Sequence, residues 1–454
     1  MYLWTMPVVL LCVIFYIYVK IEQTGRIWIF ALRRGVIPII QVLTSWRSIF
    51  SKFFSKQEMT QSEINYAIVL LFTISIFLPY FFSIAAVACI AFMTMVRYHV
   101  RTKAFDAPYT KLIFVFLIGS FFVAAIYNNY RGMMDSLLIY AVVTSGLYFR
   151  SIMTRDLFDF SMDSACAASV GCAIVAIIQK ILAYTIFKTP SYRPTSDFVN
   201  ANFYGMMIEF VILIAVYRIF TNPRKISFYG AVIGLNFVGL YLTASCSSFV
   251  AMVCAVSVIL IYKKDKKIAR KFFGAIAVCF ALFFIFPALM PRSADALETT
   301  LAQRLSIWST SWKVFRQTPV FGRGAMAYQI VWQQFDGYKT YHCHNLVLDT
   351  LLNFGVVGLL AVGGYIWAQL HLTVLKFRYH ICRDMDVLAF AALTAVLVHG
   401  FTDVTILWIQ TGSLFFLMVS SVGIDSAYLS ERMRPRFYFK GTRKSPAQAV
   451  YLKN

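Results

Sequence analysis

The sequence predicts an all-α, polytopic helix bundle embedded in a membrane, and three observations predict it. Of the 454 residues, 60% are hydrophobic and 17% aromatic, and the mean hydropathy is +0.70. Charged residues make up 14% of the chain, against about 25% in an ordinary soluble protein. The apolar residues also gather into runs of the length that crosses hydrocarbon, about 20 residues for a helix and fewer where the bilayer thins.

Taken in chain order, spans are expected over 2–19, 65–80, 82–96, 111–127, 136–149, 164–187, 204–217, 228–243, 245–262, 272–290, 355–375, 387–403 and 409–430. That makes about 12 to 13 transmembrane helices, depending on how 65–96 is read. Pro79 interrupts that stretch, and a single helix over it would far exceed the bilayer, so a hairpin is expected. The opening "MYLWTMPVVLLCVIFYIYVK" lacks a basic leader region and an Ala-x-Ala site. It reads as a retained membrane helix rather than a signal peptide.

The formal net charge of +22 raises the question of nucleic acid. The basic residues, however, fall in short clusters between apolar spans: "RIFTNPRK" (218–225), "YKKDKKIARK" (262–271), "KFRYHICR" (376–383) and the tail from 431. This is the pattern of cytoplasmic loops facing anionic headgroups. Membrane lipids are therefore the expected partners, and nucleic acid is not. The same rule puts 20–64 inside as a basic, aromatic interfacial segment. It puts 188–203, 243–245, 291–345 and 404–408 outside. The chain then divides into an N-terminal helix and interfacial segment (1–64), spans (65–290), a large extracytoplasmic loop (291–345), further spans (346–430) and a basic cytoplasmic tail (431–454).

Seven of the nine cysteines lie within or beside apolar stretches, and Cys343 and Cys382 fall in loops on opposite sides. With no Cys-x-x-Cys, neither a disulfide framework nor a zinc ribbon is expected.

The loop 291–345 stands apart by its length. Leu297, Leu301, Leu305, Trp308, Trp312 and Phe315 recur at helical spacing, predicting a helix laid against the membrane or the bundle. "TPVFGRG" (318–324) should end it through Pro319, Gly322 and Gly324. Beside the apolar stripe, Arg304 would sit at the membrane boundary, where an unpaired guanidinium seeks an anion such as a lipid-linked diphosphate. Lys313 and Lys339 read as solvated charge.

At the end of the loop comes "TYHCHNLVLDTLL" (340–352). Metal ligation by His342 and His344 would need further partners, yet Cys343 points the other way in an extended segment and Asp349 is a turn away. Asn345 suits a helix cap. A neutral imidazole is also the side chain best able to take a hydroxyl proton near pH 7, and this acid–base role is the one favoured.

"AQRLSIWSTSWKVFRQTPVFGRGAMAYQ", followed by "HCHNLVLDTLLNFGVVGLL", is similar to the signature region of the O-antigen ligase and polymerase superfamily. Arg304, Trp308, Pro319, Gly322, Gly324, His342, His344, Asn345, Gly355 and Gly358 match its pattern in order. "FVNANFYGMMI" (198–208) resembles the family's Asn-x-Asn turn, and "HGFTD" (399–403) its late His/Asp element. The likeness runs over about residues 190–425. It implies a membrane glycosyltransferase of the polytopic C-type architecture, in the cytoplasmic (inner) membrane, with an extracytoplasmic active site. Such an enzyme moves a glycan from an undecaprenyl-diphosphate carrier to the hydroxyl of a glycan or lipid acceptor, with inversion and without metal or cofactor, in cell-surface polysaccharide biosynthesis.

Carried onto this chain, the resemblance makes His344 the general base and Arg304 the group that stabilises the leaving diphosphate. His342, Arg323, Arg316, Arg193, Asn202 and Asn345 become the substrate-binding set. There is one departure: where members carry an Arg after a Ser, "LTASCSSFVAM" has Cys246. Arg323, Arg316 and Arg193 are the candidates to supply the missing cation. Glu209 is an isolated intramembrane acid, either functional or paired with Lys180 or a hydroxyl. His399 and Asp403 share a helix face and read as a structural pair. The alternative function is a transporter or flippase of lipid-linked sugars, which would call for internal repeats and broken helices at the midplane.

Overall fold

The computed structural model describes residues 36–54 and 59–426. The expected span 2–19 and the basic tail lie outside these residues. The described chain is helical, without strands. Each apolar run expected from residue 65 onward coincides with a helix, which makes the protein an all-α polytopic membrane protein.

In chain order the helices are α1 (Val36–Phe54), α2 (Gln61–Ile76), α3 (Tyr80–Val96), α4 (Tyr98–Ala104), α5 (Thr110–Ile126), α6 (Tyr130–Ile152), α7 (Arg155–Thr185) and α8 (Ala201–Thr221). There follow α9 (Ile226–Thr243), α10 (Cys246–Lys263), α11 (Lys266–Ile285), α12 (Ala294–Gln317), α13 (Tyr328–Val331), α14 (Leu346–Arg378), α15 (Arg383–Gly400) and α16 (Ile409–Val419). Among the described residues seven helices are long and apolar enough to cross a membrane, and α2, α5 and α16 are shorter apolar helices. The acids and Arg383 in its first turn make α15 less apolar.

Pro79 does break 65–96: it caps α3, and α2 and α3 are separate helices packed on each other. At its far end α3 meets α4 at 104°. Helix α1 docks through Trp46, whose indole N–H donates to Ser164 Oγ at 3.0 Å.

Helix α8 is apolar on every face and buried along nearly its whole length, as a helix at the centre of a bundle must be. Around it pack α7, α9, α10, α15 and α16. By contrast α11 has no buried residue; apolar on its outside, it is suited to lipid.

The connections gather at two ends. At one, the basic loops meet: Lys225 reaches Asp163 at 3.2 Å, Lys263 reaches Asp384 at 2.8 Å, and Arg155 reaches Asp425 at 2.7 Å. At the other, 188–200, 243–246, 291–345 and 399–408 converge, joined by bonds such as Arg193 to Thr243 and Asn345 to Phe401.

Helix α12 forms where the stripe predicts, and a face beside the stripe packs on the protein. Ile307, Thr310, Ser311 and Val314 are buried, while Leu301, Leu305 and Trp312 are exposed. Leu301, Leu305 and Trp312 of the stripe therefore face away from the protein, while Trp308 packs on the buried cluster around Ile307, Val314 and Leu352.

Candidate active site

The glycine motifs build the platform. Helix α14 breaks at Gly355 (φ 65°, ψ −167°). In an unbroken helix the N–H groups of Val356 and Val357 would bond to the carbonyls of Leu352 and Asn353. Here the 319–324 turn inserts into that ladder. Val356 and Val357 donate to the carbonyls of Pro319 and Val320, at 2.8 and 3.1 Å. The freed carbonyls of Leu352 and Asn353 accept from Arg323 and Gly324, at 3.1 and 2.8 Å. All four groups stay satisfied, and the loop is bolted to the span. A Cβ on Gly355 would lie 2.2 Å from the Val320 carbonyl oxygen, and one on Gly322 would lie 2.5 Å from Asn353. Both glycines also have positive φ, so no other residue fits.

From this platform the chain returns to the start of α14. Asn345 caps the helix by accepting from the Leu348 N–H at 3.0 Å, and its own amide donates to the Phe401 carbonyl. Asp349 accepts from the Cys343 N–H at 3.0 Å and from Asn353 at 2.7 Å. These contacts hold His342 and His344 on either side of a buried Cys343. His344 adopts φ 49°, and its carbonyl accepts from the Trp308 indole at 3.3 Å. That bond ties the histidine to α12.

His344 Nδ1 lies 3.0 Å from Asp403 Oδ1. Burial alone would raise the Asp403 carboxyl, but the His344 hydrogen bond, then the His344, His342 and His399 charges, hold it well below the usual range. An ionised Asp403 can only accept, so the proton sits on His344 Nδ1. Nε2 is then left as the basic nitrogen, 3.2 Å from the Thr340 hydroxyl. His342 differs. Its Nδ1 accepts from the His344 backbone N–H at 3.4 Å. Burial, opposed by Asp403 but reinforced by the His344 and Arg304 charges, pushes its pKa down to about 4. It stays neutral at pH 7, with its free proton on Nε2.

On the other side, Asp403 Oδ2 accepts from Asn202 Nδ2 at 2.7 Å, and Asn202 Oδ1 accepts from Arg193 at 2.7 Å. A continuous chain thus runs Arg193–Asn202–Asp403–His344. Arg304 makes no hydrogen bond or ion pair with a described residue. It is half-buried and feels, after burial, the charge of Asp403. The structure brings together Arg304, His344, His342, Asn202, Arg193 and Asn345. Arg316 is exposed on α12. Arg323 turns to Gln317 at 2.9 Å and over the Tyr127 ring at 5.6 Å.

Two pairings differ from those expected. Glu209 bonds His399 at 2.6 Å, both fully buried, and Lys180 bonds the Pro190 and Tyr192 carbonyls instead. His399 turning to Glu209 leaves Asp403 free to serve His344. Asp403 was legible only as a neighbour of His399 on one helix face, because its partner lies 59 residues away in sequence.

Among the described residues the donors grouped closely enough to hold a metal are His342, His344 and Asp403, whose ligand atoms lie within 4.8 Å of one another. Two imidazoles and a carboxylate suit a transition metal. Here, however, the His344 Nδ1 lone pair is spent on a proton shared with Asp403. Both Asp403 oxygens are engaged, by His344, Val404 N–H and Asn202, and Arg304 is in electrostatic reach. The three residues thus form a hydrogen-bonded His344–Asp403 dyad with His342 beside it.

Residues 230–363 match the family model described as O-antigen ligase. This match supports membership of the O-antigen ligase and polymerase family. The match covers Cys246, Arg304, His342 and His344, and stops short of Asp403. It supports a ligase-like role in cell-surface glycan biosynthesis, in a family that acts on lipid-linked glycan donors and acceptors. No curated protein matches the chain significantly.

Proposed function

We propose that the protein transfers a glycan from an undecaprenyl-diphosphate carrier to an acceptor hydroxyl, at the histidine end of the bundle facing the extracytoplasmic side of the inner membrane. The observation that carries this reading is the shared carboxylate: Asp403 fixes the His344 tautomer and lies in the field of Arg304.

His344 Nε2 takes the proton of the acceptor hydroxyl as its oxygen attacks the anomeric carbon. The bond from that carbon to the phosphate oxygen breaks, and both electrons leave with the lipid diphosphate. Arg304 offsets the charge that grows there, an electrostatic effect worth about 10²–10³ in rate. Asp403 stabilises the imidazolium, as the carboxylate does in serine-hydrolase triads. A single displacement inverts the anomeric centre, and no step calls for a metal. A transporter would use a broken helix to bind its cargo, whereas the break in α14 is filled by the chain's own 319–324 turn.

The test is a reconstituted assay with a defined lipid-diphosphate oligosaccharide. Longer lipid-linked chains identify a polymerase, and glycan on a different lipid or a protein identifies a ligase. His344→Ala is expected to lower the rate about 10³-fold, and Arg304→Ala about 10²-fold or more, with both proteins folded. Chelation with EDTA should leave the rate unchanged. Near-normal turnover in both mutants would overturn the mechanism.

A further inference from the structure

We propose that Arg150, at the basic end of the bundle, binds the phosphate of a membrane lipid where α6, α14 and the 105–109 loop meet. The site lies at the opposite end from the histidines, and it stands independently of the transfer reading.

Arg150 comes two residues before the end of α6, about 3 Å along the helix. Val143 and Leu147, earlier on the same face, form an apolar cluster with Ala104 and Ala107, and Tyr365 of α14 packs against it. Gln369 ties α14 to the loop by donating to the Pro108 carbonyl at 3.2 Å. The turn Ser420–Gly423 presses on the arginine from the other side. A Cβ on Gly423 would lie 2.2 Å from the Arg150 carbonyl oxygen and 2.7 Å from its Cγ, so the course of the stem is fixed.

The guanidinium at the end of that stem is unpaired. Its Nε is buried without a hydrogen-bond partner, and it makes no ion pair with a described residue. By contrast Arg218, Lys225, Lys263 and Lys376, at the same end, each meet a carboxylate. The titratable groups that face Arg150 are Tyr365 and Asp106. Asp106 is exposed on the loop, and the Tyr365 hydroxyl bonds no described residue. Helix α4 packs on α6, and exposed Arg97, Lys103 and Lys111 make the surroundings basic.

A buried donor without an acceptor costs free energy, and an ionisable group inside a membrane helix points to a ligand. At the end of a span the anions present are headgroup phosphates, and basic recesses between helices collect them. The fork of an arginine fits two oxygens of a phosphodiester. Helix α14 also offers the acyl chains a place beside Tyr365. Leu360 and Trp367 are 69% and 72% exposed, and a Cβ on Gly363 or Gly364 would meet nothing within 4 Å. That open apolar face favours a lipid over a free anion.

The experiment uses the full chain in detergent micelles and follows retained ligand by native mass spectrometry. The probes are phosphatidylglycerol, phosphatidylcholine and inorganic phosphate. Phosphatidylglycerol should bind more tightly than phosphatidylcholine, and Arg150→Gln should weaken it about tenfold. Arg150→Lys should recover part of the loss, and Tyr365→Phe should cost less than Arg150→Gln. Asp106→Asn removes a competing negative charge and leaves the arginine in place, so it should tighten binding. Lys267→Gln, exposed at the start of α11, should change nothing.

Unchanged phosphatidylglycerol affinity in both Arg150→Gln and Arg150→Lys overturns the site. Binding of inorganic phosphate that depends on Arg150, with no preference between the two lipids, overturns the lipid as its source. Should Arg150→Gln fail to fold, Asp106→Asn decides the matter. Tighter binding there supports the site. A lowered thermal midpoint with binding no tighter makes Arg150 a structural partner of Asp106 and overturns it.

Discussion

At the basic end of the bundle, buried Arg218 meets Asp159 at 2.6 Å and Asp163 at 2.7 Å, with Tyr229 and Lys225 closing the network. At the histidine end, Arg193 and Arg304 share the field of one carboxylate, Asp403, which is already bonded to His344 and Asn202. The first arrangement neutralises itself and so can only hold helices together. The second keeps positive charge in reserve next to a histidine–aspartate pair. Where a fold leaves half-buried cations uncompensated, the missing anion is a statement about ligand rather than about stability. The carboxylates at the two ends differ likewise: Asp163 serves an arginine, Asp403 serves a base.

The sharpest way to break the contrast is at Asp403. Asp403→Asn keeps the shape but puts an N–H donor in place of one acceptor oxygen and removes the charge that favours the His344 tautomer and its imidazolium. Transfer should fall about 10³-fold or more with the melting midpoint little changed. A rate near wild type would show that the carboxylate plays no part in orienting the base.

Next comes Arg218→Ala at the opposite end. It leaves Asp159 and Asp163 partly uncompensated and should cost about 3 kcal/mol of stability. Turnover per folded molecule should survive. A specific loss of turnover in the folded fraction would erase the distinction between the two ends.

The smallest effect is one of pH. The fold holds His342 neutral, with its pKa pushed down to about 4 from an ordinary value of 6.5. Below pH 6.5 the unfolded chain takes up a proton that the native chain refuses until about pH 4. Stability should therefore decline as pH falls through that window, with no further loss from this residue beneath it. His342→Gln should flatten the slope of the thermal midpoint against pH, and an unchanged slope would assign it to other groups.

Much of the fold was legible in the sequence. The apolar runs forecast the helices because a backbone in hydrocarbon must satisfy its own hydrogen bonds. "PVFGRG" read correctly as the end of α12, and Asn345 as a cap, because both are local effects. What those glycines approach was not legible: Gly322 and Gly355 meet across a helix break, and no local pattern announces a turn inserted into a distant ladder. Arg316 and Arg323 were as plausible as Arg193 from composition alone. The fold leaves Arg316 exposed, engages Arg323 with Gln317 and Tyr127, and ties Arg193 to Asn202.

By itself, then, the sequence determined the membrane class, the order of the helices, the family and the pair of histidines, since hydropathy and short motifs act over one or two helical turns. The tertiary structure decided which charges meet. His399 could have paired with Asp403 on its own helix face, and it is the packing of α8 against α15 that hands His399 to Glu209 and so frees Asp403 for His344. A side chain's electrostatic role depends on the few ångströms around it, and in a bundle those are filled by residues far away in the chain.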